Sequence, residues 1–171
     1  MATDYDAFYR DNPHGLGEPT RQFVAFFADF AQPRARVLDV GCGQGRDALF
    51  IARLGHRVTA VDSSVNGIRD LERDARRERL AIDAMFADIR SARWEGLYDV
   101  IVVDRTLHML YARERLGVLD SLVEVLEPAG HVLIADEPRN LPAMLERLKS
   151  EANWRVNIQR KGLLFLQREP A

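Results

Sequence analysis

Carboxylates and glycines recur in this sequence where hydrophobic runs end. Asp39 lies inside a short apolar run, and Gly41, Gly43 and Gly45 follow it at alternate positions. Glycine lets the chain turn sharply and lets a ligand approach bare backbone, and a helix that starts directly afterwards points its free N–H groups into the same space. An isolated charge within an apolar strand is strongly unfavourable, so Asp39 requires a partner. The segment 37–46 therefore predicts a strand, a ligand-binding glycine loop and the first turn of a helix.

Three later hydrophobic runs also end at an aspartate, namely Asp62, Asp88 and Asp104. In an open parallel sheet ligands bind at the carboxyl ends of the strands, so acids that follow successive strands meet at one edge. The pattern predicts a binding site built from the ends of four strands. The three later runs are Val58 to Val61, the alternating Ile82, Ala84 and Phe86 of a third strand that ends at Asp88, and Tyr98 to Val103.

Helical periodicity separates these strands and continues after them. Helices are predicted from Arg46 to a C-terminal cap at Gly55, and from Ser63 or Ser64 as N-cap to about Arg79. The later elements are a helix with Leu116, Leu119, Val123 and Leu126 that Pro128 and Gly130 stop, a strand Val132 to Ala135, a helix with Leu141, Met144, Leu145 and Leu148, and a hairpin that turns at Lys161-Gly162. The predicted fold class is α/β, a Rossmann-like and mostly parallel seven-stranded sheet with helices on both faces and a C-terminal antiparallel hairpin.

The N-terminal part of the chain has a different pattern. The spacing of Tyr5, Phe8 and Tyr9 predicts a short amphipathic helix, and a loop rich in glycine and proline follows it. An aromatic stripe at helical spacing then predicts a second helix with one face in the core, and its residues are Phe23, Phe26, Phe27 and Phe30. One domain is predicted over 1–171, with an arm at 1–33 and a core at 34–171. The first helix and loop of the arm are expected to fold over the ligand as a lid.

Composition restricts the partners. The chain has 171 residues, 47% of them hydrophobic, and a net charge of −2, so it can bury a sizeable core but has no positive field that would gather nucleic acid or an anionic membrane. The single cysteine, Cys42, excludes an internal disulfide and a cysteine-based zinc site. The acidic N-terminus and the lack of a long apolar run predict a soluble cytoplasmic protein. We expect a small-molecule partner, no metal, and no nucleic-acid or membrane partner.

An acid-x-Gly-x-Gly-x-Gly loop after the first strand of such a sheet, together with a terminal hairpin, resembles the class I S-adenosylmethionine-dependent methyltransferases from about Arg36 onward. The resemblance implies S-adenosylmethionine as cofactor and S-adenosylhomocysteine as product. It implies that Asp39 serves the amino group of the methionine part, that Asp62 binds both ribose hydroxyls, and that Asp88 meets the adenine amino group. The cofactor-binding residues that it implies are Asp39, Gly41, Cys42, Gly43, Gly45, Asp62, Ser63, Asp88, Ile89 and Asp104.

Two narrower resemblances concern the acceptor. The segment from Gly41 to Ser64 is similar to the tellurite-resistance type of small methyltransferase, and the pair Asp104-Arg105 resembles the thiopurine-type enzymes. Both groups methylate small and often soft nucleophiles, which implies a small-molecule acceptor such as a thiol or another chalcogen nucleophile. The segment DRTLHML after the fourth strand departs from the tellurite-resistance pattern, so the resemblance leaves the acceptor open.

Other classes of protein fit less well. A nicotinamide dehydrogenase shares a glycine loop and a ribose-binding acid, but Arg46 stands where the dinucleotide fingerprint requires Gly or Ala for close helix packing. DNA adenine methylation is disfavoured because no Asn-Pro-Pro-Tyr-like segment follows the fourth strand. Cytosine C5 methylation is disfavoured because it needs a nucleophilic cysteine, and the single cysteine, Cys42, lies in the glycine loop. Two alternatives stay open, a non-catalytic S-adenosylmethionine-binding or regulatory domain and a methyltransferase that acts on protein or RNA.

The candidate catalytic residues are Asp104, Arg105 and His108. Holding a nucleophile in line with the methyl group can supply most of the rate, an effect worth roughly 7 to 11 kcal/mol. A thiol or chalcogenide already has an anionic fraction near neutral pH, so Arg105 or His108 would only orient it. An amine or hydroxyl would instead need a base, for which Asp104, His108 and Glu137 are the candidates.

Overall fold

The chain forms two compact units, which divide between Ile89 and Arg90. The computed structural model describes residues 4–170, and all structural statements below refer to these residues. The elements of the first unit are α1 (Tyr5–Asp11), α2 (Arg21–Asp29), β1 (Arg36–Val40), α3 (Arg46–Arg53), β2 (Arg57–Asp62), α4 (Val65–Glu78) and β3 (Ile82–Phe86). The elements of the second unit are β4 (Tyr98–Asp104), a 3-10 helix (Leu107–Met109), α5 (Ala112–Glu124), β5 (Leu126–Ala135), α6 (Leu141–Glu151), β6 (Trp154–Arg160) and β7 (Leu163–Arg168).

Parallel pairing aligns the carboxyl ends of the strands in the first unit. β1 pairs with β2 so that Asp39 lies opposite Ala60, and β2 pairs with β3 so that Asp62 lies opposite Phe86. Most of β1 is buried, because a central parallel strand is covered on both faces. The aromatic stripe of α2 contributes Phe23 and Phe27 to the core, as its spacing predicts.

Helix α4 presents a charged face whose cations are paired within the helix. Arg76 lies 2.6 Å from Glu72 at i,i+4 spacing, and Arg73 lies 2.8 Å from Asp70 at i,i+3 spacing. Asp70 and Asp74 are buried, and Arg73 and Arg77 lie over them. The acidic partners therefore offset much of the positive charge of this arginine-rich helix.

The second unit ends in the antiparallel hairpin that the sequence predicts. β4 and β5 are parallel, whereas β7 runs antiparallel to both β5 and β6. The strand order is β3-β2-β1 in the first unit and β4-β5-β7-β6 in the second, and the predicted Rossmann-like class with a C-terminal antiparallel hairpin is confirmed. β6 is an edge strand with a bulge between Val156 and Ile158 and exposed Arg155 and Arg160. None of the helices within residues 4–170 is long and apolar enough to cross a membrane.

Two predicted element boundaries are wrong. Leu126 belongs to β5 and not to α5, because the helix ends at Glu124 and the strand begins before Pro128. Pro128 and Gly130, which were expected only to stop the helix, lie in the irregular first part of β5. Ala129 between them has φ of 67°, and the register with β4 shifts near Tyr98. The third strand ends at Phe86 and not at Asp88, because the pairing with β2 stops where β2 itself ends.

The turn into α3 predicts a difference between two glycine substitutions. Gly45 has φ of 82° and Gly55 has φ of 92°, so an alanine at either position costs about 1–2 kcal/mol of backbone strain. A Cβ at Gly45 would also collide with the side chain of Leu71, whereas a Cβ at Gly55 would meet open space. Gly45→Ala should therefore destabilise the protein by about 1–3 kcal/mol more than Gly55→Ala in urea unfolding. Equal losses would mean that Leu71 moves aside at no cost.

Candidate active site

The glycine loop is fixed onto the end of β2. Gly41, Gly43 and Gly45 have φ of 77°, 54° and 82°, which is the left-handed region that glycine adopts without strain. The amides of Gly41 and Cys42 donate to the carbonyl of Val61 at 2.8 and 3.0 Å. The loop therefore has a defined backbone path between β1 and α3, as expected for a segment that presents backbone to a ligand.

The carboxylate of Asp62 joins this loop to α4. Its Oδ2 accepts from the Gly43 amide at 2.9 Å and its Oδ1 accepts from the Ser64 amide at 2.7 Å. An ionised carboxylate has about four acceptor positions, so Asp62 keeps acceptor capacity beyond these amides. Burial raises the pKa of Asp62, although these amides and that of Ser63 oppose the rise. A half-buried carboxylate with fixed orientation and remaining acceptor capacity suits a ligand with two adjacent hydroxyls.

The other predicted cofactor residues of the first unit also lie at strand ends. Asp39 is buried as the penultimate residue of β1, and Asp88 and Ile89 are half-buried just after β3. Ser63 is exposed directly after β2. The structure therefore brings three carboxylates to the carboxyl ends of three adjacent parallel strands, where an adenosyl group with polar sites at ribose and base could be bound.

Cys42 is buried within the loop, and its Sγ lies 3.7 Å from the carbonyl oxygen of Gly43. Burial raises the pKa of its thiol, and the nearby charges of Asp39 and Asp62 raise it further. A thiol in this setting stays protonated, and the thiolate is the nucleophilic form. Its environment suits a small packing residue beside the ligand and not a nucleophile.

The N-terminal arm lies against the glycine loop through Gln44, which the sequence analysis did not single out. The buried Gln44 accepts from the Gly15 amide at 3.0 Å, and its Nε2 lies 3.3 Å from the Tyr9 carbonyl and 3.1 Å from the Asn12 carbonyl. The same nitrogen also lies 3.0 Å from Oδ2 of Asp70. One side chain of the loop therefore satisfies three backbone groups of the arm. The sequence gives one indication of this role, because Gln44 has the one long polar side chain among the small residues of the loop.

The ring of Tyr9 covers the loop at Gly43. Tyr9 is buried, and burial, followed by the charge of Asp62, raises the pKa of its phenol, so the hydroxyl stays protonated. A Cβ at Gly43 would collide with this phenol, and it would lie 3.0 Å from Cδ1 of Leu16. Position 43 therefore has to be glycine for the arm to lie here. This placement is the one that a lid requires, and the ordering of the arm by a ligand stays a prediction.

The candidate catalytic residues lie in the second unit. Asp104 ends β4 with a side chain that is 7% exposed, whereas the side chain of Arg105 is 82% exposed. Arg105 has φ of 52°, and its amide donates to the carbonyl of Ala135 at 2.7 Å. A left-handed conformation costs energy for a residue other than glycine, and such conformations cluster at functional sites. The turn directs the guanidinium into solvent, where it can meet an anionic acceptor.

Asp136 holds His108 in place. Its Oδ2 accepts from the His108 amide at 2.9 Å and lies 3.9 Å from Nδ1 of the same residue. Its Oδ1 accepts from the Glu137 amide and from Nδ2 of Asn140, both at 2.8 Å. The buried Asp136, directly after β5, thus supports the segment that carries His108. The His108 side chain keeps 26% of its surface exposed and can reach a substrate.

Comparisons with known proteins agree on the fold. The profile of the family described as "Tellurite resistance protein TehB" matches residues 20–145. The probable S-adenosyl-L-methionine-dependent methyltransferase TehB of Haemophilus influenzae is 36% identical over 100 residues, which are 58% of this chain and 35% of that protein. The crystal structure of TehB from Haemophilus influenzae has a TM-score of 0.71 at 23% identity and covers 96% of this chain and 67% of that chain.

A second solved structure matches nearly end to end. N-methyltransferase NodS from Bradyrhizobium japonicum WM9, in complex with S-adenosyl-L-homocysteine, has a TM-score of 0.69 at 19% identity and covers 98% of this chain and 93% of that chain. The strand order, the glycine loop and the acids at the strand ends define the class I S-adenosylmethionine-dependent methyltransferase fold. Within that class, the chain belongs to the TehB family. It spans about a third of the length of the Haemophilus relative.

The contacts of Gln44 predict a large effect of its removal. Gln44→Ala would remove a donor to the buried Tyr9 carbonyl and to the buried Asp70 carboxylate, which costs about 1–3 kcal/mol. We expect a loss of that size in urea unfolding, together with faster amide exchange in the arm. The control is Gln159→Ala, since Gln159 is exposed on β6 and its loss should change stability by about 0.5 kcal/mol or less. Unchanged exchange in the arm would show that Gln44 does not hold it.

Proposed function

We propose that this chain is an S-adenosylmethionine-dependent methyltransferase that acts on a small molecule, with a thiol or another chalcogen nucleophile as the favoured acceptor. The observation that carries the proposal is the Asp62 carboxylate at the end of β2, which backbone amides hold in a fixed orientation and which keeps acceptor capacity for a ribose diol. Membership of the TehB family and the fold shared with a S-adenosyl-L-homocysteine complex support the same cofactor.

The cofactor would be held by the ends of the first three strands. Asp62 would accept from the two ribose hydroxyls, Asp88 beside Ile89 would meet the adenine amino group, and Asp39 would balance the amino group of the methionine part. The glycine loop would lie along the methionine part, with Cys42 and Ser63 as neighbouring contacts. The described residues show no group of three or more His, Cys, Asp or Glu side chains arranged for a metal ion. We propose that carboxylates, the backbone of the glycine loop and the neighbouring Cys42 and Ser63 bind the cofactor.

When bound, S-adenosylmethionine supplies an electrophilic methyl group on a sulfonium centre. The chain would then need to hold a nucleophile in line with that methyl group, which is an effect of position and not of proton transfer. Arg105 carries an exposed positive charge that can orient an anionic acceptor, and His108, three residues later, has a partly exposed ring. The buried side chain of Asp104 borders the same turn. We propose that these three residues bind and orient the acceptor.

The proposal is tested by supplying S-adenosylmethionine with a panel of small thiols, amines and phenols and measuring S-adenosylhomocysteine formation. We expect turnover with thiols or other chalcogen nucleophiles. Binding of S-adenosylhomocysteine in calorimetry without turnover of any acceptor would favour a non-catalytic cofactor-binding domain. Efficient methylation of RNA or protein with no small-molecule activity would overturn the substrate class.

Asp62 predicts how cofactor affinity depends on pH. Burial raises the pKa of Asp62, and donation by two ribose hydroxyls would lower it again, so the cofactor binds the ionised form preferentially. The affinity for S-adenosylhomocysteine should be constant above this raised pKa and should fall as the pH drops through it. Asp62→Asn should weaken binding by about 30-fold at neutral pH and should remove that dependence, since about 2 kcal/mol of charge-assisted hydrogen bonding is lost.

The control for this experiment is Asp83→Asn. Asp83 is an exposed acid on β3, so its substitution should leave both the affinity and its pH dependence unchanged. The assignment of Asp62 to the ribose is wrong if calorimetry gives the same affinity for Asp62→Asn and for the unsubstituted protein.

A role for His108 in orientation predicts a modest effect of its loss. His108→Ala should lower turnover of a thiol by less than the roughly 10² to 10⁴-fold that follows loss of an essential general base. The rate should rise with pH as the acceptor loses its own proton. A pH dependence of the rate that is the same for acceptors of different acidity and vanishes in His108→Ala would contradict this mechanism and assign His108 as the base.

A further inference from the structure

The side chain of Asp6 in α1 bonds to the start of α4. Its Oδ1 accepts from the Ser64 hydroxyl at 2.7 Å and from the Asn66 amide at 2.9 Å, and its Oδ2 accepts from Nδ2 of Asn66 at 2.8 Å. The first amides of a helix have no partner within the helix and carry partial positive charge, so they favour a carboxylate. The hydrogen bonds from Asn66 and Ser64 hold the pKa of Asp6 below its usual value, so Asp6 is ionised at neutral pH.

Ser64 links this carboxylate to Asp62. Its hydroxyl donates to Asp6 and accepts from the Gly67 amide at 2.9 Å, which makes it the N-cap of α4. Its amide donates to Oδ1 of Asp62 at 2.7 Å. A single buried residue therefore connects the arm to the carboxylate that is proposed to bind the ribose.

The arm is tied to the glycine loop at the C-terminal end of α1, and the helix itself is capped at its start, so Asp6 has a fixed position from which to act. Gln44 holds the Asn12 carbonyl just beyond the C-terminal end of the helix, and the helix has its own N-cap because Asp4 accepts from the Ala7 amide at 3.1 Å. A group that is already ordered binds a ligand more tightly, because binding does not have to supply the cost of ordering it.

We propose that Asp6 is a positioning residue for the cofactor site, which acts by holding Ser64 so that the Ser64 amide fixes Asp62 in the orientation that receives the ribose. The inference rests on the proposed function, because Asp62 is the residue proposed to bind the cofactor. It assigns to the arm a role in cofactor affinity in addition to covering the loop.

The test substitutes Asp6→Asn, with Asp11→Asn as the matched control. An asparagine at position 6 removes the charge that the first amides of α4 favour and turns a donor toward Nδ2 of Asn66, so the contact with α4 is weakened at little change in size. Asp11 is an acid of the same helix, but it pairs with Arg10 at 2.9 Å and is exposed. We expect Asp6→Asn to weaken S-adenosylhomocysteine binding in calorimetry by about tenfold, a typical coupling between two linked groups, and Asp11→Asn to change it by less than about twofold.

A double-mutant cycle separates positioning from a general loss of structure. If Asp6 acts through Asp62, then Asp6→Asn should change the affinity of Asp62→Asn by less than about twofold, because the positioned group has already been removed. The same tenfold loss in both backgrounds would mean that Asp6 supports the structure without positioning Asp62, and the inference would be wrong.

A readout without cofactor keeps this inference distinct from the proposed function. Asp6→Asn should accelerate hydrogen exchange of the Ser64 amide in the ligand-free protein, whereas Asp11→Asn should not. If the unsubstituted protein fails to bind S-adenosylhomocysteine, the proposed function fails, and the exchange rate still decides whether Asp6 orders Ser64. Unchanged exchange at Ser64 in Asp6→Asn overturns the positioning role.

Discussion

The carboxylate of Asp62 is the group on which the first unit depends, because its two oxygens connect segments that are distant in sequence. One oxygen holds the glycine loop after β1, and the other holds the start of α4. Burial opposes the charge on this carboxylate, as the raised pKa of Asp62 shows, and the amides that donate to it offset part of that cost. The bond between the Ser64 hydroxyl and the Gly67 amide fixes the start of α4, where one of those amides lies.

The strands and their terminal acids were predictable because parallel strands leave a simple pattern in the sequence. A strand covered on both faces is a continuous apolar run, and the polar residue that follows it marks the edge where a ligand binds. Asp62 and Ser64 were recognised in this way, as a strand end and a helix cap. The assignment of Asp62 to the ribose depends on resemblance and stays a prediction.

The contacts of the arm could not be predicted from local pattern. Asp6 and Asn66 are sixty residues apart. An acid in the first turn of a short helix is already explained by its favourable interaction with the dipole of that helix, so its position does not indicate a second partner. Gln44 lies in a loop, where no periodicity indicates which way a side chain points. The left-handed backbone of Arg105 was equally hidden, because that conformation is expected for glycine and asparagine and not for arginine.

The β6 edge of the sheet has a consequence for the behaviour of the protein in concentrated solution. An unpaired edge strand is a template onto which another chain can add, and natural sheets prevent this with bulges and charged side chains. β6 has both, since its pairing is interrupted between Val156 and Ile158 and Arg155 and Arg160 are exposed on it. Aggregation by strand addition is therefore disfavoured at this edge, and substitution of the two arginines by apolar residues would make fibrous association there easier.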